Sequence, residues 1–480
     1  LASSGSGGNM STFAYDARGF PTNSVAETGT GDPAVLAALS YNDRGEVVSV
    51  TDAAGNSWRY AYDGRGNRTA QERHSAAGGL IWWQYDYYNL NGELEWTDGP
   101  RFNPEDYIWR TYDGGGRPRS VTRWRSGAVR DGSTVRVVPY AGAQLYAITS
   151  FAHDELGNLT RSLDPNGNLT VFSHDAVGRV TGVSHYDGPS ESGELLSGES
   201  FTYEPGGEIH VHTGPLGGET TTLYSSRGLP RWRELPDDTV LEWRYDLAGR
   251  PVREPVSHNN YWAVTYDDAN RTVTRTLKTV GEATLASVTE VYDARGNLVS
   301  RTDEAGFTTT STYDGLDRLK TVTGPPDSGG SARQSITNYY HPAGLSNVTA
   351  NALGEKTIRL ADALGRPIGI YVQNASGSFP SQTTITYSPD HNSSMVFSGN
   401  NALIYGNYYD LFCATTFSDT FGNPVATTNK AGLVTLAEYD AAGNQLSATD
   451  EASLKTRFAY DGLDRLIATE IGRASCRERV

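Results

Sequence analysis

His210 and His212 stand two residues apart, with Glu208 just ahead of them. On a strand that spacing puts both imidazoles on one face, where they could begin a metal site with the carboxylate. No third histidine lies nearby, so the pair reads as ordinary surface histidines. Aspartates recur at turn-like positions and raise a calcium reading, but the nine-residue Gly-Gly-x-Gly-x-Asp period of calcium β-rolls is absent. Turn formation accounts for them more simply. Gly-x-Ser-x-Gly, His-Glu-x-x-His and the phosphate-binding glycine loop are all missing, so no hydrolase or nucleotide chemistry is indicated and no cofactor is expected. The chain reads as not an enzyme.

What does recur is a spacing. Tyr292-Asp293-x-x-Gly296 is followed 21 residues later by Tyr313-Asp314, and the interval returns between Tyr41 and Tyr62, His153 and His174, and Tyr439-Asp440 and Tyr460. It holds three times running through Tyr203, Tyr224, Tyr245 and Tyr266. A glycine sits four places after the aromatic, as Gly45, Gly66, Gly157, Gly228, Gly249, Gly296 and Gly443 do. A second falls fourteen places after it, as Gly55, Gly167 and Gly306 do, and Gly354 and Gly365 keep the register where the aromatic is blurred, at Tyr340 and Ala361. A fixed period decides architecture before any single motif can be interpreted.

Each half-unit reads as a strand and a turn. In Ser57–Tyr62 the rings of Trp58, Tyr60 and Tyr62 alternate with Ser57, Arg59 and Ala61, which places them on one face of a pleated strand. Leu241, Trp243 and Tyr245 repeat that pattern. In Asp-x-x-Gly-Asn the Asp side chain can bond the backbone two residues on, and Gly can take positive φ, so the chain reverses. Leu298–Thr302 then leaves as a second strand and Asp303–Gly306 returns it, making the unit a pair of hairpins. Helix signal is poor, since the best apolar run, Ala34–Leu39, is short and follows Pro33. The fold class is all-β.

Repeated Tyr-Asp-x-x-Gly-Asn/Arg-Leu, with a weaker Asp-x-x-Gly-x-x-Thr between copies, resembles the YD repeats of bacterial Rhs (rearrangement hotspot) proteins, of the C component of Tc toxin complexes and of teneurins. The resemblance runs from about Tyr15 to Leu466. It implies repetitive antiparallel hairpins coiled into a spiral, solenoid-like shell, which in the bacterial toxins encloses a C-terminal toxic domain. It further implies a secreted or cell-surface bacterial protein, partnered by the toxin domain or the remaining shell of its own full-length chain, or by secretion-system or cell-surface carbohydrate components. Family members often end the shell at an Asp-Pro-x-Gly-Leu cleavage stretch. Asp164-Pro165-Asn166-Gly167 matches this only superficially, because Asn168 follows, and cleavage is not carried over to it.

Strand arithmetic agrees with coiling. Roughly 23 units of two strands, ~4.8 Å apart, would make a sheet about 200 Å wide, and open twisted sheets rarely pass ~10 strands without curling. The residues divide into an irregular edge at 1–14, a repeat domain at 15–470 and a non-repeat tail at 471–480, whose Ile471–Val480 drops every rule of the repeat. The stretch Gly127 to Gln144 has lost the motif and is left unplaced.

The net charge of −16 argues against nucleic acid, whose phosphates demand a basic surface. No run of eighteen apolar residues marks a membrane span, no signal peptide is visible, and the opening inside a repeat suggests a fragment. Cys413 and Cys476 are too few for a disulfide framework. Asn-x-Ser/Thr at Asn67, Asn158, Asn168, Asn270, Asn347, Asn374 and Asn392 arises largely from the repeat itself and is discounted as glycosylation. The recurring tyrosines and tryptophans keep a carbohydrate-binding or adhesive surface open as an alternative, although an aromatic ladder on a sheet more often serves packing.

Overall fold

A computed structural model describes residues 2–4, 11–27, 33–100, 106–131, 134–141, 145–325, 335–340, 346–387, 393–399, 412–429, 431–473. Within these lie 42 strands, from Ala2–Ser4 to Leu466–Arg473, and the strands pair antiparallel with their neighbours. No helix among the described residues is long and apolar enough to cross a membrane. The Pro33–Tyr41 stretch, with its apolar run, is a strand.

The chain divides into two compact units. The first comprises Leu1–Leu169, Tyr186–Glu194 and Tyr339–Val480, the second Thr170–His185 and Leu195–Asn338. Both are built from the same hairpin. In the second unit Thr289 pairs with Thr302 and Val291 with Ser300, but Tyr292 pairs with Leu298, which leaves Val299 without a cross-strand partner. At the intervening turn the register runs on without a shift, from Ser300↔Thr310 to Thr302↔Thr308. The same skip occurs beside Tyr41, Tyr62, Tyr245, Tyr313, Tyr439 and Tyr460. A β-bulge adds twist and bends its strand, so placing one at the Tyr-Asp end of the hairpins gives them a consistent bend.

Fully buried apolar side chains are few. The one cluster of them among the described residues lies in the first unit, where Val135, Ala426 and Val434 pack with Ala128, Phe417 and Leu436. Elsewhere Trp58, Tyr60 and Tyr62 are half-buried while Arg59 and Ala61 face solvent, as the alternation requires. The strand expected across Leu241–Tyr245 is interrupted at Trp243, whose N–H nevertheless donates to the Arg231 carbonyl at 2.9 Å.

Three stretches differ from the sequence reading. The edge at 1–14 contains two strands, Ala2–Ser4 and Ser11–Tyr15, paired from Ala2↔Phe13 to Ser4↔Ser11. At the other end the last strand continues through Arg473, with Ile471 paired to Thr456 and Arg473 to Leu454, because backbone pairing does not require the repeat letters. The rest of the expected tail, from Ala474, lies outside the described residues. The unplaced stretch after Gly127 forms a hairpin of its own, Ser126–Asp131 with Thr134–Pro139.

Candidate functional site: the repeated turns

Each Tyr-Asp turn is a self-contained hydrogen-bonded unit. At Asp293 the backbone N–H donates to the Asn297 carbonyl at 2.9 Å and Gly296 N–H returns to the Asp293 carbonyl at 3.2 Å, a three-residue loop closed by a left-handed residue. Asp293 Oδ1 accepts the backbone N–H groups of Arg295 (2.8 Å) and Asn297 (2.9 Å), while Oδ2 accepts Asn297 Nδ2 at 3.0 Å. That last bond explains why Asn or Arg follows the glycine: Arg318 Nε plays the same part on Asp314 at 2.8 Å. It also explains the sequons, since Asn67, Asn158 and Asn168 donate in this way to Asp63, Asp154 and Asp164. Asn392 lies outside the described residues.

All the turn glycines, namely Gly45, Gly55, Gly66, Gly157, Gly167, Gly228, Gly249, Gly296, Gly306, Gly354, Gly365 and Gly443, have positive φ. The slot imposes that conformation even without glycine. Asp317 and Asp464, four places after Tyr313 and Tyr460, hold φ of 59° and 60°.

The tyrosine has a separate task that its spacing alone did not disclose. Tyr313 Oη donates to the Leu298 carbonyl at 2.9 Å, just where the ladder between those two strands stops at Ser300↔Thr310. Tyr62, Tyr245, Tyr266 and Tyr439 bond the carbonyls of Val47, Pro230, Pro251 and Pro424 likewise. The hydroxyl bridges neighbouring strands at the bulged end, which a phenylalanine could not do. Tyr292 instead bonds Glu290 Oε2 at 3.0 Å, and Tyr41 reaches the Pro21 carbonyl. A further link, also missed from sequence, runs turn to turn: Arg295 Nη1 donates to the Gly315 carbonyl (3.3 Å) and Asp317 Oδ1 (3.1 Å), and Arg44 to the Gly64 carbonyl.

These bonds set the electrostatics. The Asn297 side chain, and then backbone N–H groups, hold the Asp293 carboxyl below its usual range, as Asn67 does for Asp63 and Asn158 for Asp154. At Asp246 the backbone N–H of Arg250 comes first and its guanidinium second. A carboxyl depressed in the folded state contributes stability that is complete above its unfolded value, about pH 4, and is lost as pH falls through the folded value. Melting temperature is therefore expected to hold between pH 8 and 5 and to fall steeply below about pH 4. A melt followed by circular dichroism that is unchanged down to pH 2.5 would refute this role for the turn aspartates.

The two histidines are not brought to a common ligand. His212 Nε2 bonds Glu199 Oε2 at 2.9 Å and stacks on Phe201, whereas His210 Nδ1 lies 2.9 Å from Glu204. His210 is the residue skipped by the bulge beside Tyr203, which breaks the simple alternation, and the Glu208 carboxylate lies against Gly206 and Gly228. Among the described residues no three His, Cys, Asp or Glu side chains are placed to hold a metal. An open groove in the second unit, lined by Glu208, Arg231, Trp232, Trp243 and Arg244 among others, mixes both signs of charge. In the first unit Tyr87, Trp96 and Trp109 form an exposed row across three paired strands, with Trp96 and Trp109 stacked at 5.3 Å.

The RHS Repeat family model matches residues 41–80, 153–189, 292–326 and 439–474. The chain carries Rhs repeats. No curated protein matches it. Among solved structures, it is similar to the Photorhabdus luminescens Tc holotoxin pore with a TccC3 mutation, at 13% identity and TM-score 0.54 over 96% of this chain and 28% of that one. It is similar also to TcdB2–TccC3 (13% identity, TM-score 0.54, 96% and 29% of the two chains) and to TcdB2–TccC3–Cdc42 (12%, 0.53, 96% and 28%). At these identities the likeness is one of fold, and the chain spans less than a third of the length of those proteins.

Proposed function

We propose that this Rhs chain is a structural segment of a secreted bacterial toxin shell, sheltering a toxic domain carried elsewhere on its own polypeptide. One observation carries the reading: the repeat sheet aligns over 96% of its length with chains of Tc toxin assemblies. The chemistry of the chain is consistent with it, because its recurring polar groups are consumed within turns, as at Asp293 and Asn297, rather than gathered around a cavity. Small-angle scattering tests the shell. A curved or hollow sheet should give a radius of gyration well above the ~23 Å of a compact domain of this length. A solid rod of narrow, constant cross-section would leave no room for cargo and end the proposal.

The same reading holds that the chain has no turnover of its own. Esterase, protease, nuclease and glycosidase assays should all be blank, and a robust activity abolished by one substitution would overturn it. A second reading, an adhesive surface for carbohydrate, draws on the exposed row of Tyr87, Trp96 and Trp109. Glycan-array binding lost on Trp96→Ala would favour it over the shell.

A further inference from the structure

Several hydrogen bonds within the first unit join residues 274 to 314 positions apart. Arg73 Nε donates to the Ala363 carbonyl at 3.0 Å. Thr420 donates its hydroxyl to the Trp124 carbonyl at 2.7 Å and its N–H to Ser126 Oγ at 3.0 Å. Arg125 Nη2 reaches the Tyr439 carbonyl at 3.0 Å, and Asn166 Nδ2 reaches Asp440 Oδ2 at 3.0 Å.

The late partners share one position in the repeat. Ala363, Thr420, Tyr439 and Asp440 all belong to Tyr-Asp turns or their copies, which follow Ala361, Ser418 and Tyr439. The early partners share the other. Arg73 leads into the intervening turn at Ser75–Gly78, Asn166 lies in the intervening turn at Asp164–Gly167, and Trp124 to Ser126 stand where an intervening turn would follow the Tyr112 strand. The intervening-turn edge of one 20-stranded sheet, formed by the strands up to Val240–Glu242, therefore meets the Tyr-Asp edge of a second, formed by the strands from Arg244–Tyr245 onward. The separations of 290 and 294 residues lie close to fourteen periods of 21.

A three-residue turn offers such a seam little apolar surface. Here the chain extends the intervening turn into the hairpin Ser126–Asp131/Thr134–Pro139, which supplies Ala128 and Val135 to the cluster with Phe417, Ala426, Val434 and Leu436. Ser126 is 2% exposed and Val425 1%, the largest fully buried side chains of the described chain. Arg125 lies over the Tyr140 ring at 5.0 Å and closes the hairpin's base.

We propose that the 126–139 hairpin is a clasp: an enlarged intervening turn that locks the early repeats to the Tyr-Asp edge of repeats fourteen periods later. Burial supplies the holding force, and the Thr420 and Arg125 hydrogen bonds fix the register. The clasp goes beyond the shell reading and stands whether or not anything is enclosed.

Hydrogen exchange of the chain, read by mass spectrometry, tests this. Val135→Asp should raise exchange at least tenfold in Pro424–Asn429 and Val434–Tyr439, while Asn260–Asp267 and Thr272–Thr279 of the second unit stay unchanged. Thr420→Val, a milder change that removes one hydrogen bond, should raise exchange in the same late strands about fivefold. Acceleration confined to residues 126–139 in either variant would show the hairpin to be an ornament and overturn the clasp. Should Val135→Asp loosen the entire chain, Thr420→Val decides alone, and no change in the late strands would refute the proposal.

Discussion

Replacing Gly296 with valine is expected to destabilise its hairpin by about 1–3 kcal/mol, because a β-branched residue must then sit in a left-handed conformation. The residue has φ of 90°, and a Cβ there would meet nothing within 4 Å. The penalty is thus conformational and not a clash. Ala305→Val, in the adjoining intervening turn at a position without positive φ, should be much milder. The reverse experiment uses Ser453, which holds φ of 63° in a slot that carries glycine in most copies. Ser453→Gly is expected to stabilise by up to about 1 kcal/mol, the left-handed cost being offset in part by the greater freedom of the unfolded chain. Because repeats depend mainly on their neighbours, exchange should rise in Thr284–Tyr292 and Leu298–Thr302 and not at distant hairpins. A silent Gly296→Val would sink the argument.

Asp317 and Asp464 show why that slot tolerates a substitute at all. Each carboxylate accepts the Asn side chain of the preceding Tyr-Asp turn, Asn297 for Asp317 at 2.9 Å and Asn444 for Asp464 at 2.5 Å. The strain of one residue is balanced by a tie to the next turn. Asp317→Gly should therefore bring little net gain, in contrast to Ser453→Gly.

Much of the fold was legible because the turn is local. Asp, Gly and the residue after it act within five positions, so spacing alone identifies the loop and the strands on either side, as at Asp293 to Asn297. The bulge was not legible, since nothing in Leu298–Thr302 marks Val299 as the residue the ladder skips. Nor was the tyrosine's partner, because a main-chain carbonyl such as that of Leu298 carries no sequence mark. The clasp was hidden for a different reason: its partners are separated by 294 residues, and losing the motif after Gly127 signals only that something else happens there. The histidine pair misleads in the same way, as a spacing rule for strands fails where a bulge falls on His210.

Two aspartates in equivalent turns should differ sharply in what their removal costs. Asp303 Oδ1 accepts the N–H groups of Ala305 (3.0 Å) and Phe307 (2.9 Å), so Asp303→Ala should cost about 1 kcal/mol. Asp52 Oδ1 does the same for Ala54 (2.9 Å) and Asn56 (3.0 Å), but its Oδ2 also accepts Arg73 Nη2 at 2.5 Å. The Arg73 side chain is 6% exposed, packed over the Trp58 ring at 5.3 Å, whereas that of Asp52 is 25% exposed. Removing one member of a buried pair strands the other charge at a cost of about 3–5 kcal/mol, here reduced because Asp52 is partly hydrated. Asp52→Ala is accordingly expected to cost about 3 kcal/mol in a urea melt. Arg73→Met in the Asp52→Ala background should recover part of that loss, since it removes the stranded guanidinium while keeping an apolar stem over Trp58. The recovery should be incomplete, because Arg73 Nε also donates to the Ala363 carbonyl and that bond goes with it. Equal costs for Asp52→Ala and Asp303→Ala would mean that the guanidinium is solvated well enough to stand alone, and the buried pair would then count as no more than another turn contact.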